Sequence, residues 1–196
     1  MEGPGAAEVY DTNRFSQLYQ ASRRPSPEHL SLAADFLFSL FDRHSIRFAF
    51  LGGWAVYLRG GTRRTEDVDL SVDMSMDGLT AILMPEDSNL EEAMEMIAPN
   101  LNGDPLLQTG QLIPVIDIYH QFSTKLHVHY ERRNNGQTDD YEDLEFLAET
   151  YPREIWALHP YLNRDHREAF WQVFAFRNAD EYDRVDQMEV ILGLTS

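Results

Sequence analysis

The alternation of apolar and polar positions divides the chain into a strand-bearing first half and a helical second half. Ser26-Pro27-Glu28 reads as a helix start, with a Ser cap, Pro in the first turn and an early acid. Leu30, Ala33, Ala34, Leu37, Leu40 and Phe41 follow at helical spacing and carry that helix to about Arg43. Ile46-Arg47-Phe48-Ala49-Phe50-Leu51 is a short apolar run that ends at Gly52-Gly53, the pattern of a buried strand. A short helix over 54–59 is closed by Gly60-Gly61. A second strand covers 68–72, and a loop runs through Met76-Asp77-Gly78.

Ser88-Asn89-Leu90-Glu91 matches a capping box, with Leu90, Ala93, Met94 and Ile97 as the apolar face of its helix. Residues 99–110 are rich in turn formers. Residues 112–119 read as a third strand, held to an edge by Pro114, which has no backbone donor. Beyond it the period is helical over 120–130, 140–149, 153–158, 166–176 and 181–192. Trp156, Phe170, Trp171, Phe174 and Phe176 are the expected core of the last of these helices. Strands first and helices after imply an α+β fold with a helical C-terminal half. Residues 1–25, small, polar and interrupted by Gly and Pro, read as a loosely held arm. Residues 26–196 read as a single domain, with its core at about 30–148 and C-terminal helices over 150–192.

Composition narrows the chemistry. The chain has no cysteine, which removes thiol catalysis, disulfides and thiolate zinc sites. The stretch 1–24 has no apolar run flanked by basic residues, and no segment approaches the roughly 20 apolar residues a membrane span requires. A cytoplasmic protein without a membrane partner is the expectation. The formal charge of −17, from 33 acids against 16 Lys and Arg, repels nucleic acid and anionic membranes. The pairs Arg23-Arg24, Arg63-Arg64 and Arg132-Arg133 are too few for a nucleic-acid groove, though they could meet the phosphates of a small nucleotide. The same acidity is equally read as a device for solubility.

The candidate chemistry lies in Phe50-Leu51-Gly52-Gly53-Trp54-Ala55-Val56 and in Arg63-Arg64-Thr65-Glu66-Asp67-Val68-Asp69-Leu70. Two glycines after a strand let backbone come close to a phosphate, and the following helix offers free N–H groups. Asp67 and Asp69 lie two apart in a strand, so their side chains share a face, about 7 Å apart at a rise of roughly 3.3 Å per residue. Val68 and Leu70 then point into the core. Two like charges on one face are costly without a cation, and hard oxygen donors suit Mg²⁺. His120 and His127 share a helical face, but His127 and His129 do not, and no His-x-x-x-His pair supports zinc.

Gly-Gly, a short helix, and then Arg-x-Thr-x-Asp-x-Asp resembles the nucleotidyltransferase superfamily, and within it the AbiEii-like toxin group and related stand-alone members. The resemblance maps onto Gly52, Gly53, Arg63, Thr65, Asp67 and Asp69. Lys125-Leu126, then Arg132 or Arg133, then Asp140-Tyr141-Glu142-Asp143-Leu144 is similar to the family's Lys…Arg…Asp-x-x-Asp pattern. It departs from that pattern in having Asp139 where a Lys or Arg usually precedes the first Asp. Together these cover the chain from Leu30 to Ala148.

The resemblance implies a mixed-sheet core flanked by helices. It also implies metal-assisted transfer of a nucleotidyl group from a nucleoside triphosphate to a hydroxyl. Asp67 and Asp69 would hold Mg²⁺ or Mn²⁺; Gly52, Gly53, Arg63 and Thr65 would bind the nucleotide; Lys125 would offset charge on the transferring group. The family's enzymes use a third carboxylate on a neighbouring strand. Asp117, in Val115-Ile116-Asp117-Ile118, has the matching apolar neighbours, although the same residue reads equally as a helix cap. The acidic surface favours a small-molecule or protein acceptor. The alternative is a non-catalytic member of the family that binds a nucleotide or a partner without turnover.

Overall fold

In the computed structural model, which describes residues 25–83, 113–133 and 139–195, helix α1 (Pro27–Arg43) begins at the expected cap. The Ser26 hydroxyl accepts from the His29 N–H, and the His29 ring accepts from the Ser26 N–H in return. The arm expected at 1–25, residue 25 apart, the helix expected at 88–97 and the turn-rich stretch 99–110 lie outside the described residues.

Strand β1 (Phe48–Leu51) pairs antiparallel with β2 (Asp69–Val72), setting Phe50 opposite Leu70 and Leu51 opposite Asp69. On the other edge of β1, the Phe50 N–H donates to the Pro114 carbonyl and the Phe50 carbonyl accepts from Ile116 N–H, each at 2.9 Å. This parallel bridge, centred on the Phe50–Val115 pair, is what the third strand expected over 112–119 amounts to among the described residues. It ends there because Asp117 caps a helix and residues from 118 onward are helical. Pro114 is tolerated because only its carbonyl is used.

Helix α2 (Gly52–Leu58) starts at the glycines, two residues before the expected Trp54. It separates two cores. Trp54, 1% exposed, packs with Leu30, Ala34 and Phe50 in the sheet-side cluster. Val56 joins the helical cluster with Phe122, Leu126 and Leu144. Two residues along a helix are about 200° around it, so the short α2 presents an apolar side chain to each body. The expected loop at Met76-Asp77-Gly78 is instead the start of helix α3 (Met76–Leu83). The Ser75 hydroxyl accepts from Gly78 N–H at 3.2 Å and so starts the turn despite the glycine.

The remaining helices among the described residues are α4 (Ile118–Arg132), α5 (Asp139–Thr150), α6 (Pro152–Leu158), α7 (Arg164–Arg177) and α8 (Tyr182–Ile191), with a 3₁₀ turn His159–Tyr161 between α6 and α7. The architecture is therefore α+β and mostly helical, with a small sheet at one side. Leu144, Leu147, Ile155, Phe170 and Phe174 fill the helical core. Two aromatics expected there lie outside it: Trp156 is 54% exposed and Phe176 is 85% exposed. Phe176 follows Phe174 by two positions and so falls on the opposite side of α7, while the buried contact of α6 is made by Ile155. Among the described residues no helix is long and apolar enough to cross a membrane.

The two phenylalanines of α7 give a direct check on this packing. Phe170→Ala should lower stability in urea denaturation by about 3–5 kcal/mol, the usual cost of truncating a buried aromatic. Phe176→Ala should change it by no more than about 0.5 kcal/mol.

Candidate functional site

The Gly52-Gly53 turn is built for close approach, and what approaches is the rest of the motif. Gly52 has φ +66°, where a side chain is strained. A Cβ added there would lie 1.9 Å from Asp69 Oδ2. A Cβ on Gly53 would lie 2.6 Å from Arg63 Nη2 and 2.7 Å from Thr65 Oγ1. The freedom expected to serve a phosphate thus first admits the protein's own Asp69, Arg63 and Thr65. The turn is also held from α4, where Gln121 Nε2 donates to the Gly52 carbonyl at 3.0 Å.

Asp69 opens β2, whereas Asp67, expected in the same strand, stands just before it in a segment without regular structure. Val68 and Leu70 pack against the Leu30–Trp54 cluster, as strand alternation requires. Asp67 is exposed, and its carboxylate accepts from the Thr65 hydroxyl at 3.1 Å. The Asp69 carboxyl is raised above its ordinary value of 3.8, first by burial and then by the charge of Asp67, with Lys125 pulling in the opposite direction. Its ionised form is therefore disfavoured, and a second positive charge beside the pair would relieve it. Two hard carboxylates in that state fit Mg²⁺ or Mn²⁺. Among the described residues no three His, Asp or Glu side chains converge as a ligand set.

The second motif folds into a charge network directly behind the first. Lys125 Nζ lies 2.9 Å from Asp140 and 2.8 Å from Asp143. Arg63 grips Asp143 with two parallel bonds, Nε to Oδ1 at 2.8 Å and Nη2 to Oδ2 at 2.9 Å. Arg132 reaches Asp140 at 3.3 Å. Asp139, the residue that breaks the family pattern, is 3.4 Å from Arg63. Burial alone would lower the Lys125 pKa, but Asp143 and Asp140 outweigh it and hold the ammonium above its ordinary range. Arg63 is likewise raised, first by its hydrogen bonds to Asp143.

Arg63 was expected to meet phosphate, yet its fork is occupied by a carboxylate with a side chain only 1% exposed. The tie between Arg63 and Asp143 spans 80 positions and left no local signal in the sequence. The same holds for Gln121 and Gly52, 69 positions apart. Beside the tie, Gly61, Thr62 and α5 bound a cavity of about 410 Å³ lined by Glu142, Glu145 and Glu149, the last two paired with Arg184.

Asp117, the candidate third carboxylate, is the N-cap of α4. It accepts from the His120 N–H at 3.0 Å and lies 2.6 Å from His120 Nδ1. Slight burial pushes its carboxyl up, but the bonds from His120 prevail and hold it below its ordinary value. Its charge also bears on Arg59, at the end of α2 opposite the glycine pair. His127 lies against His166, with ring centroids 5.4 Å apart, while His129 is buried edge-on to Phe170. Comparison with family models, with curated proteins and with solved structures finds no match.

The raised Asp69 pKa has a sign that can be checked. The folded value stands above the unfolded one, so the folded state binds this proton more tightly. Stability is then lost as pH rises from the unfolded value through the folded value. In EDTA at neutral pH, Asp69→Asn should be more stable than the wild type, and the gap should close as pH falls through that window. Mg²⁺ should raise the melting temperature of the wild type and leave the variant unmoved. A destabilised variant in EDTA, or an equal response to Mg²⁺ in both, would contradict this assignment.

Proposed function

We propose that the chain is a metal-dependent nucleotidyltransferase, moving a nucleotidyl group from a nucleoside triphosphate to a hydroxyl on a small molecule or protein. The observation that carries this reading is the closure of Gly52-Gly53 onto Asp69, Arg63 and Thr65. That closure gathers the residues of one dispersed motif around a single turn. Asp67 and Asp69 would hold the divalent ion, which when bound would neutralise the triphosphate and polarise its α-phosphorus. The Gly52-Gly53 backbone would face the phosphates.

Lys125, whose charge already reaches Asp69, would offset negative charge on the transferring group. Arg63 and Thr65 would act by holding the turn and Asp67 in place, because their polar atoms are engaged by Asp143 and Asp67. The charge of −17 favours a compact or protein acceptor over a long nucleic acid.

A second reading, nucleotide binding without turnover, rests on one observation: Asp117 caps α4 and pairs with His120. Calorimetric titration with nucleoside triphosphates, with and without Mg²⁺, tests what the two readings share. Binding should require Mg²⁺ and weaken about tenfold or more in Asp67→Asn or Asp69→Asn, a loss of roughly 1.4 kcal/mol. Incubation with α-³²P-labelled nucleotides and hydroxyl acceptors, including the protein itself, then separates them. Transfer of label supports the enzyme, and binding without transfer supports the second reading. Absence of Mg²⁺-dependent binding contradicts both.

A further inference from the structure

Helices α6 and α8 leave an open apolar groove of about 540 Å³ on the surface. Trp156 and Val190, 54% and 48% exposed, stand on its two sides, with Ala157 and Ile191 beside them. Apolar groups exposed side by side on neighbouring elements form a strip that a partner surface can cover.

The two helices bring opposite charge to the edges of the groove: Arg153 lines it from α6, with Glu154 turned about 100° around the helix from it, and α8 carries two aspartates one turn from its lining residues. On α6, Arg153 is exposed and has no hydrogen-bond or ion-pair partner among the described residues. By contrast Arg184, near the same groove, is committed to Glu145 and Glu149 at 2.6 and 2.5 Å. On α8, Asp183 and Asp186 are exposed and also without partners among the described residues. They lie one turn before Gln187 and Val190, on the same stripe of the helix.

The two helices run in the same direction. Glu149 meets Arg184, Pro152 shares a pocket with Gln187, and Gly193 abuts His159, so position rises along both together. Arg153 is therefore roughly level with Asp186, and Trp156 with Val190.

We infer that this groove is the interface of a two-fold dimer of the chain, with the axis running along the helices. A two-fold axis in that direction lays the α6 flank of each copy on the α8 flank of the other. Arg153 then meets Asp183 and Asp186 of the second copy twice over, and Trp156 covers the second copy's Val190. An axis across the helices would instead set Arg153 near its own counterpart and the aspartates near theirs, so the charges select the first arrangement. The pairs set register, and the apolar strip between them supplies the adhesion.

Sedimentation across a concentration series tests the dimer with two charge reversals. Arg153→Asp makes both flanks negative, and Asp183→Arg/Asp186→Arg makes both positive. All three residues are exposed, and circular dichroism checks that the variants fold. The wild type should dimerise reversibly, each reversed variant should dimerise roughly tenfold or more weakly, and an equimolar mixture of the two variants should recover a dimer holding one of each. A wild type that is monomeric at every concentration overturns the inference and leaves the groove to a different partner. A dimer indifferent to the reversals, or variants that the mixture does not rescue, places the interface elsewhere and overturns it equally.

Discussion

Asp143 is a carboxylate with almost no contact with water, and it takes hydrogen bonds from cations on two other parts of the chain. Arg63 comes from the loop between α2 and β2, and Lys125 from α4; the acceptor itself is on α5. A buried charge of this kind is tolerated only while it stays paired, and removing one partner of such a set typically costs about 3–5 kcal/mol. The tie therefore fixes where Arg63 can be. Because the Arg63 guanidinium fills the space beside Gly53, it also fixes the glycine turn. The turn in turn accommodates Asp69, so the position of the acidic pair depends on a contact made on the other side of Arg63.

That arrangement divides the charges of the site into two classes. Arg63, Arg132 and Lys125 are balanced by Asp139, Asp140 and Asp143 and hold the elements together. Asp67 stays exposed and its charge disfavours the ionised form of Asp69, which is already disfavoured by burial, while Lys125 acts on Asp69 in the opposite sense. A net negative centre beside a glycine turn attracts a divalent cation more readily than it attracts a bare phosphate. The metal dependence proposed for nucleotide binding rests on this charge balance as much as on the resemblance.

Much of this was legible in the sequence where the signal was local. Strand alternation placed Val68 and Leu70 inward, the Ser26 cap and apolar spacing gave α1, and the run before Gly52 gave β1. The resemblance picked out Lys125, Arg132 or Arg133, Asp140 and Asp143 together, but not that Lys125, Arg132 and the two aspartates form one charge network or that Arg63 belongs to it. Pairings across 69 and 80 positions are set by the packing of α4 and α5 on α2, which no local pattern encodes. At Asp117 two local signals competed, an apolar–acid–apolar strand and a helix cap. The cap prevailed because the helical run after it satisfies more backbone than one more pair in the sheet. At Gly78 a residue that disfavours helix was outweighed by the Ser75 cap, and Phe176 shows that helical spacing must be followed residue by residue to separate core from surface.

The claim that the Asp143 tie holds the glycine turn is tested most directly by Asp143→Asn, followed by urea denaturation and by the backbone amide resonances of Gly52 and Gly53. The account predicts a loss of about 3–5 kcal/mol, with both glycine amides shifted or broadened although neither residue was changed. A variant of wild-type stability whose Gly52 and Gly53 resonances stay in place would contradict it.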